Sequence, residues 1–219
     1  MRILYLDCFS GISGNMALGA FLDLGVEENT LIEGLKKLNV DGYEIKISKK
    51  AKNGIMGTYV DIILEDGHED HHHHGHSHDH DEQHEHDHHH DHYHSHDRNL
   101  FDIEKLIDDS DLENEVKDLS KRIFKYVALA ESKIHGKPLS EVHFHEVGAI
   151  DSIMDIVGTA ICINELKVDK VVSSPLHTGT GFVKCQHGLI PVPVPATLEI
   201  LKEEKIPFYS MGIPRELVT

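Results

Sequence analysis

The stretch RILYLDCFSGISGNMALGAFLDL, residues 2–24, sets the fold class. Residues 2–9 alternate loosely as a buried strand, the Ser10-Gly11-Ile12-Ser13-Gly14 run punctuates it, and a helical pattern then continues to Leu24, where Gly25 is the expected stop. Outward from there, Leu31, Leu35 and Leu38 share one face of a second helix over about residues 27–38. Residues 43–47 and 58–64 read as strands around a Lys52-Asn53-Gly54 turn. Val116, Leu119, Ile123, Val127, Ala130 and Ile134 recur at helical spacing until Gly136 and Pro138 close the run. Residues 141–147 form a short alternating stretch, and Ile153, Ile156, Val157, Ala160 and Ile161 mark one face of a further helix ending near Leu166. A strand over 170–175, a glycine-rich hairpin or loop over 179–188 and a proline-rich lead into a helix near Ala196 complete the pattern. Alternating elements of this kind predict an α/β domain, a mixed sheet with flanking helices, interrupted by one insertion.

The insertion is a tract of histidine and aspartate. Of the 21 histidines in 219 residues, 16 fall between His68 and His96, and residues 67–97 hold nine acids and no lysine or arginine. Too little apolar surface is present there to offset the entropy of ordering, so residues 67–97 are expected to be disordered, and residues 1–66 with 98–219 to form one domain. Imidazole is a common ligand of borderline divalent metals, so His71, His72, His73, His74, His76, His78, His80, His88, His89 and His90 are candidate metal donors. A solvated linker whose metal binding is incidental is the plainer reading. Composition alone favours copper, then nickel or zinc.

The formal charge of −17 argues against a grip on nucleic acid or an acidic membrane surface, and points to cations as partners. No apolar run approaches the ~18–20 residues of a membrane span. The first apolar stretch is too short for a signal-peptide core, and Cys8, Cys162 and Cys185 are odd in number and widely spaced. A reducing, cytoplasmic setting is the expectation.

Three places can carry chemistry. His143 and His145, two residues apart, share a face if extended, and can chelate one ion with Glu146 or Asp151 completing the site. Two hydrogen-bonded histidines, and a capping box of Ser152 with Asp155, are the structural alternative. The turn of Ser10, Gly11, Ser13 and Gly14 precedes a helix N-terminus, where free N–H groups favour a phosphate, although it matches neither dinucleotide nor Walker pattern; an ordinary strand-to-helix turn fits equally. Asp7 closes the strand where α/β sheets place functional groups. Cys185 and His187 are weaker candidates. The last residues, Leu217 and Val218, are apolar, and an exposed edge that favours docking or self-association is expected there.

Taken together, MRILYLDCFSGISGNM, VHFHEVGAIDSIMDIVG and GFVKCQHGLIPVPVPATLEIL resemble the nickel-insertion proteins of the LarC type across the whole chain outside the tract. The resemblance implies a nickel chelatase that inserts Ni(II) into pyridinium-3,5-bisthiocarboxylic acid mononucleotide with consumption of CTP, completing the nickel-pincer cofactor of lactate racemase and related enzymes. It implies further that His143, His145 and Glu146 hold nickel or take a proton, with Asp7 a further catalytic candidate, and that the Ser10 to Gly14 turn seats the substrate's phosphate. Family members generally carry aspartate where this chain has Asn15, and are about twice as long. The chain therefore resembles their N-terminal half, with CTP and its Mn(II) or Mg(II) bound outside it, and with the other half, and a homo-oligomer, as expected partners. The rival classes are a nickel store or metallochaperone, which needs only the tract, and a metal-dependent hydrolase built on His143, His145 and Asp151.

Overall fold

The computed structural model describes residues 1–64, 98–144, 147–185 and 187–219. Strand β1 (Ile3–Leu6) leads through a turn into α1 (Gly14–Asp23), followed by α2 (Glu28–Lys36) and a hairpin of β2 (Tyr43–Lys52) and β3 (Ile55–Leu64). Both hairpin strands run further toward the turn than their apolar residues suggest, pairing without a break from Tyr43 opposite Leu64 to Lys52 opposite Ile55. The reason is local: Asn53 and Gly54 both take positive φ, 52° and 80°, the turn whose twist matches paired strands, so the exposed strand ends need no core to stay in register.

Next come β4 (Arg98–Asn99), α3 (Leu100–Asp108), α4 (Asn114–His135), β5 (His143–Phe144) and α5 (Ile150–Glu165), then β6 (Lys170–Ser173), β7 (Leu176–His177), β8 (Phe182–Cys185), β9 (Gly188–Pro191), α6 (Pro195–Glu203) and β10 (Phe208–Tyr209). Helix α3 was not anticipated. It is held by a capping box in which Asn99 accepts from the Asp102 N–H and Asp102 accepts from the Asn99 N–H. Helix α6 starts with Pro195 in its first turn, as expected.

The α/β class holds, with parallel and antiparallel pairs both present. Among the described residues the strands form five two-stranded sheets: β1 with β6 and β7 with β10 are parallel, and β2–β3, β4–β5 and β8–β9 antiparallel. The two parallel pairs are joined, since the His177 N–H donates to the Cys8 carbonyl at 3.2 Å just as the Ser174 N–H donates to Leu6 at 2.9 Å.

Helix α5 is the axis of the core. It packs against α1, α2, α4 and β3, and buries Ile153, Met154, Val157, Ala160, Ile161 and Cys162. Gly158 makes the close approach possible: a Cβ there would stand 3.0 Å from Leu18 and 3.1 Å from Leu31. Burial pushes the Cys162 thiol up to about 12, which leaves it a small apolar filler at neutral pH. Among the described residues no helix is long and apolar enough to cross a membrane.

Candidate functional site

The turn after β1 is built from bonds within the chain. The Cys8 carbonyl accepts the Gly11 N–H at 3.0 Å, the Ile12 N–H donates to the Leu217 carbonyl at 2.8 Å, and the Thr219 N–H returns to the Ile12 carbonyl at 3.1 Å. Leu217 and Val218, expected to form an exposed apolar edge, are instead half-buried against this turn, because their backbone completes a bridge to it. Gly11 is required by that bridge. Its φ is +85°, and a Cβ would fall 1.8 Å from the Leu217 carbonyl oxygen. Gly11→Ala is therefore expected to cost about 3 kcal/mol, combining left-handed strain with overpacking against backbone. Gly54→Ala, at a φ of +80° with nothing within 4 Å, should cost only about 1 kcal/mol. Urea unfolding of the two variants measures the difference.

Ser13 caps α1: its hydroxyl accepts the Met16 N–H at 3.4 Å and donates to Asn15 Oδ1 at 2.6 Å. Asp7 and Ser10 are exposed beside it. With the N–H groups of Gly11, Ile12, Asn15 and Met16 already engaged, an anion at this turn would fall to the Ser10 hydroxyl and to the Ser13 and Gly14 N–H groups.

Below this turn lies a residue that spacing assigned a capping role. Helix α5 begins at Ile150 with Ala149 as its cap, so Ser152 and Asp155 are both inside the helix and no capping box forms there. Asp155 instead faces the start of α1. A Cβ on Gly14 would stand 2.2 Å from Asp155 Oδ2 and 2.5 Å from its Cγ, so only glycine lets α1 sit this close. The Asn15 backbone N–H donates to the carboxyl, while Oδ1 is screened from solvent with no partner among the described residues. Burial first, and the charges of Asp151 and Asp61 after it, raise its pKa to about 7, against the lowering effect of the Asn15 N–H. Asp155 lies along one helical stripe with Gly158 and Cys162, both buried, which turns it toward the interior.

From Asn15 an open groove of about 270 Å³ runs between α1 and β3, lined also by Met16, Ala20, Asp23, Thr58 and Tyr59. Its far end is tied by Asp23, which accepts from Lys49 Nζ at 2.6 Å and from the Thr58 N–H at 2.9 Å; these bonds hold its carboxyl well below the usual range.

Of the predicted metal residues, His143 is exposed on β5 opposite Asn99, next to Phe144, which is buried against the Phe124 ring at 6.2 Å. Arg98 Nη1 donates to the Gly148 carbonyl at 2.7 Å and so ties β4 to the start of α5. Asp151 is exposed in the first turn of α5, accepting the Ser152 N–H at 2.7 Å. His145, Glu146 and the whole tract lie outside the described residues. Among those described, no three histidines, cysteines or acids are arranged to hold a metal ion. Cys185 Sγ is 4.0 Å from His187 Nδ1, whose ring stands 5.0 Å from that of His135, itself 3.2 Å from Glu131. His177 is buried and structural: its Nε2 accepts the Met211 N–H at 3.0 Å and its ring meets Tyr209 edge-on.

The model of the nickel insertion protein family matches residues 4–219. The chain belongs to that family. It is 53% identical over 222 residues to the pyridinium-3,5-bisthiocarboxylic acid mononucleotide nickel insertion protein of Acetivibrio thermocellus, covering all of this chain and 49% of that protein. It is 57% identical over 209 residues to the protein of the same name from Clostridium acetobutylicum, covering 92% of this chain and 50% of the relative. With the Clostridium kluyveri protein, also of that name, the figures are 55% over 217 residues, 97% and 49%. The chain thus spans about half the length of the curated relatives it matches. No solved structure matches it.

Proposed function

We propose that this family member supplies the metal-receiving part of nickel insertion into pyridinium-3,5-bisthiocarboxylic acid mononucleotide. What carries the reading is the family match over residues 4–219, with relatives of that name aligned along the whole chain. Nickel is here a substrate. The nitrogen donors of His143 and His145, with Glu146 and Asp151, suit Ni(II), and the imidazoles of the tract suit a reservoir that feeds them. The Ser10 to Gly14 turn offers a hydroxyl and amides to the substrate's phosphate, with Asp7 at its edge. CTP with Mn(II) or Mg(II), which the family resemblance assigns to the portion of the relatives beyond this match, enters no step on these residues. The product would serve lactate racemase and related enzymes. Three free cysteines, two of them buried, fit the reducing cytoplasm.

Storage is the reading to separate from insertion. A reconstituted system contains this chain, the segment of the Acetivibrio thermocellus relative that lies beyond the match, Ni(II), CTP and the mononucleotide; formation of the nickel adduct is followed by mass spectrometry. Deleting residues 67–97 is expected to lower the number of Ni(II) ions bound per chain, to leave the melting temperature of the metal-free protein unchanged, and to preserve insertion when nickel is in excess. Binding by the intact tract should also weaken as pH falls through about 6.5, where protons displace metal from imidazole. Nickel binding without any insertion by the intact chain would favour a store, whereas loss of insertion in the deletion variant at saturating nickel would make the tract part of the insertion step rather than a reservoir.

A further inference from the structure

The cysteine and the histidine at the tip of the β8–β9 hairpin play no part in the function proposed above, and the fold brings a third donor to them. Cys185 is the last residue of β8, paired with Gly188 of β9, and His187 stands in the loop between the two strands. Gly188 takes a φ of 91°, which lets the chain reverse there. The reversal leaves Cys185 Sγ 4.0 Å from His187 Nδ1. Zinc bonds to sulfur and to nitrogen, about 2.3 and 2.0 Å long, together span at most about 4.3 Å, so one ion of that size can touch both atoms with the backbone as it stands. From the other side comes His135, the last residue of α4, whose ring is 5.0 Å from that of His187 at an angle of 36°. We propose that Cys185, His187 and His135 form a thiolate-containing site for Ni(II), outside the donor set built on His143. The identity of the ion rests on the function proposed above.

Thiolate together with imidazole is a donor set for borderline divalent metals, and the tract, which has no cysteine, offers no sulfur. His135 carries a further mark of a metal-binding imidazole. Glu131, one turn back on α4, holds its Nε2 at 3.2 Å and orients the ring, as a carboxylate orients a ligating histidine. Pairs of this spacing also occur on helices that bind no metal. What sets this one apart is the second imidazole and the thiol that a separate hairpin brings against it. The place suits a cation as well, because α4 stops at Gly136, with a φ of 61°, directly after His135, and a helix C-terminus carries partial negative charge. The three side chains do not already close around one point among the described residues. Closure takes a turn of the His135 side chain about its own bonds. His187 is exposed and Cys185 half-buried, so an ion in solution reaches the pair. On binding, the thiol gives its proton to water and the metal stays Ni(II).

The test adds Ni(II) to the intact, reduced chain. Cys8 and Cys162 are buried and the tract has no thiol, so a thiolate-to-nickel charge-transfer band in the near ultraviolet reports on Cys185. That band is expected in the wild type and should be lost in Cys185→Ser, with the bulk nickel capacity unchanged. His187→Ala and His135→Ala should each abolish it, and Glu131→Gln should weaken the affinity read from it by roughly 10–100-fold. A second readout needs no variant: saturating Ni(II) should slow alkylation of Cys185 by iodoacetamide at least about 10-fold, because the metal occupies the lone pair that would attack. Should a variant lose its fold, the alkylation result decides. No band at saturating nickel, a band that survives Cys185→Ser, or one that His187→Ala and His135→Ala leave at wild-type affinity would overturn the site. Alkylation as fast with nickel as without it would do the same. All four results leave the function proposed above standing, since insertion is read separately from the mass of the adduct. A chain that shows the band and the protection, yet inserts no nickel in the reconstituted system, would keep the site and overturn that function.

Discussion

Changing His143 and His145 together to alanine is expected to reduce nickel insertion by more than 100-fold while the bulk nickel capacity of the tract and the fold remain. His143 is exposed, so its imidazole contributes little to the core. The segment is held by other groups: Phe144 is buried against Phe124, Arg98 bonds the Gly148 carbonyl, and the two residues of β5 pair with β4 through the backbone. Truncation at Cβ leaves all three intact. Without the two imidazoles, Glu146 and Asp151 would present only hard oxygen donors, to which Ni(II) binds less tightly than to nitrogen. Nickel bound per chain, read by equilibrium dialysis, should change little, because the tract supplies most of the donors. Insertion near the wild-type rate would remove His143 and His145 from the site and strengthen the storage reading.

The second large effect is on stability. Asp155 has a pKa near 7 in the folded chain and about 4 when unfolded. The folded state therefore keeps a proton where the unfolded chain has released it. That contribution is full below about pH 4 and is lost as pH rises to about 7. Three pKa units correspond to an upper figure of about 4 kcal/mol. Wild-type protein should accordingly unfold at lower urea at pH 8 than at pH 5, and Asp155→Asn should remove most of the difference by gaining stability at pH 8. Asp23 does not interfere, because its carboxyl is shifted the other way: its contribution is full above about pH 4 and is lost only in acid. Parallel pH dependence in the variant and the wild type would place the ionisation elsewhere.

Much of the architecture could be read directly because its elements are amphipathic. Helix α4 begins at Asn114 and ends at His135, with Gly136 taking a φ of 61°, close to the pattern of Val116 to Ile134. Helix α3 was missed since its start lies beside the tract, and its capping box, Asn99 with Asp102, is short. The site was legible only in part. His143 stands out by its spacing to His145, and the turn by its glycines. Asp155 was hidden by a local pattern, Ser152 to Asp155, that resembles a cap but lies within a helix already begun at Ile150. What decides its character is a tertiary contact with Gly14, about 140 residues away in the chain, and no local period encodes that. The same holds for the Leu217 backbone, whose apolar neighbours read as an unfinished edge until their pairing with Ile12 is seen.

The most direct test of nickel insertion by this chain is the mass of the mononucleotide after incubation with Ni(II), CTP, this chain and the remaining segment of the Acetivibrio thermocellus relative. A nickel adduct that forms in the complete mixture, and from neither protein alone, is the predicted result. An adduct that forms equally well when this chain is left out would contradict it.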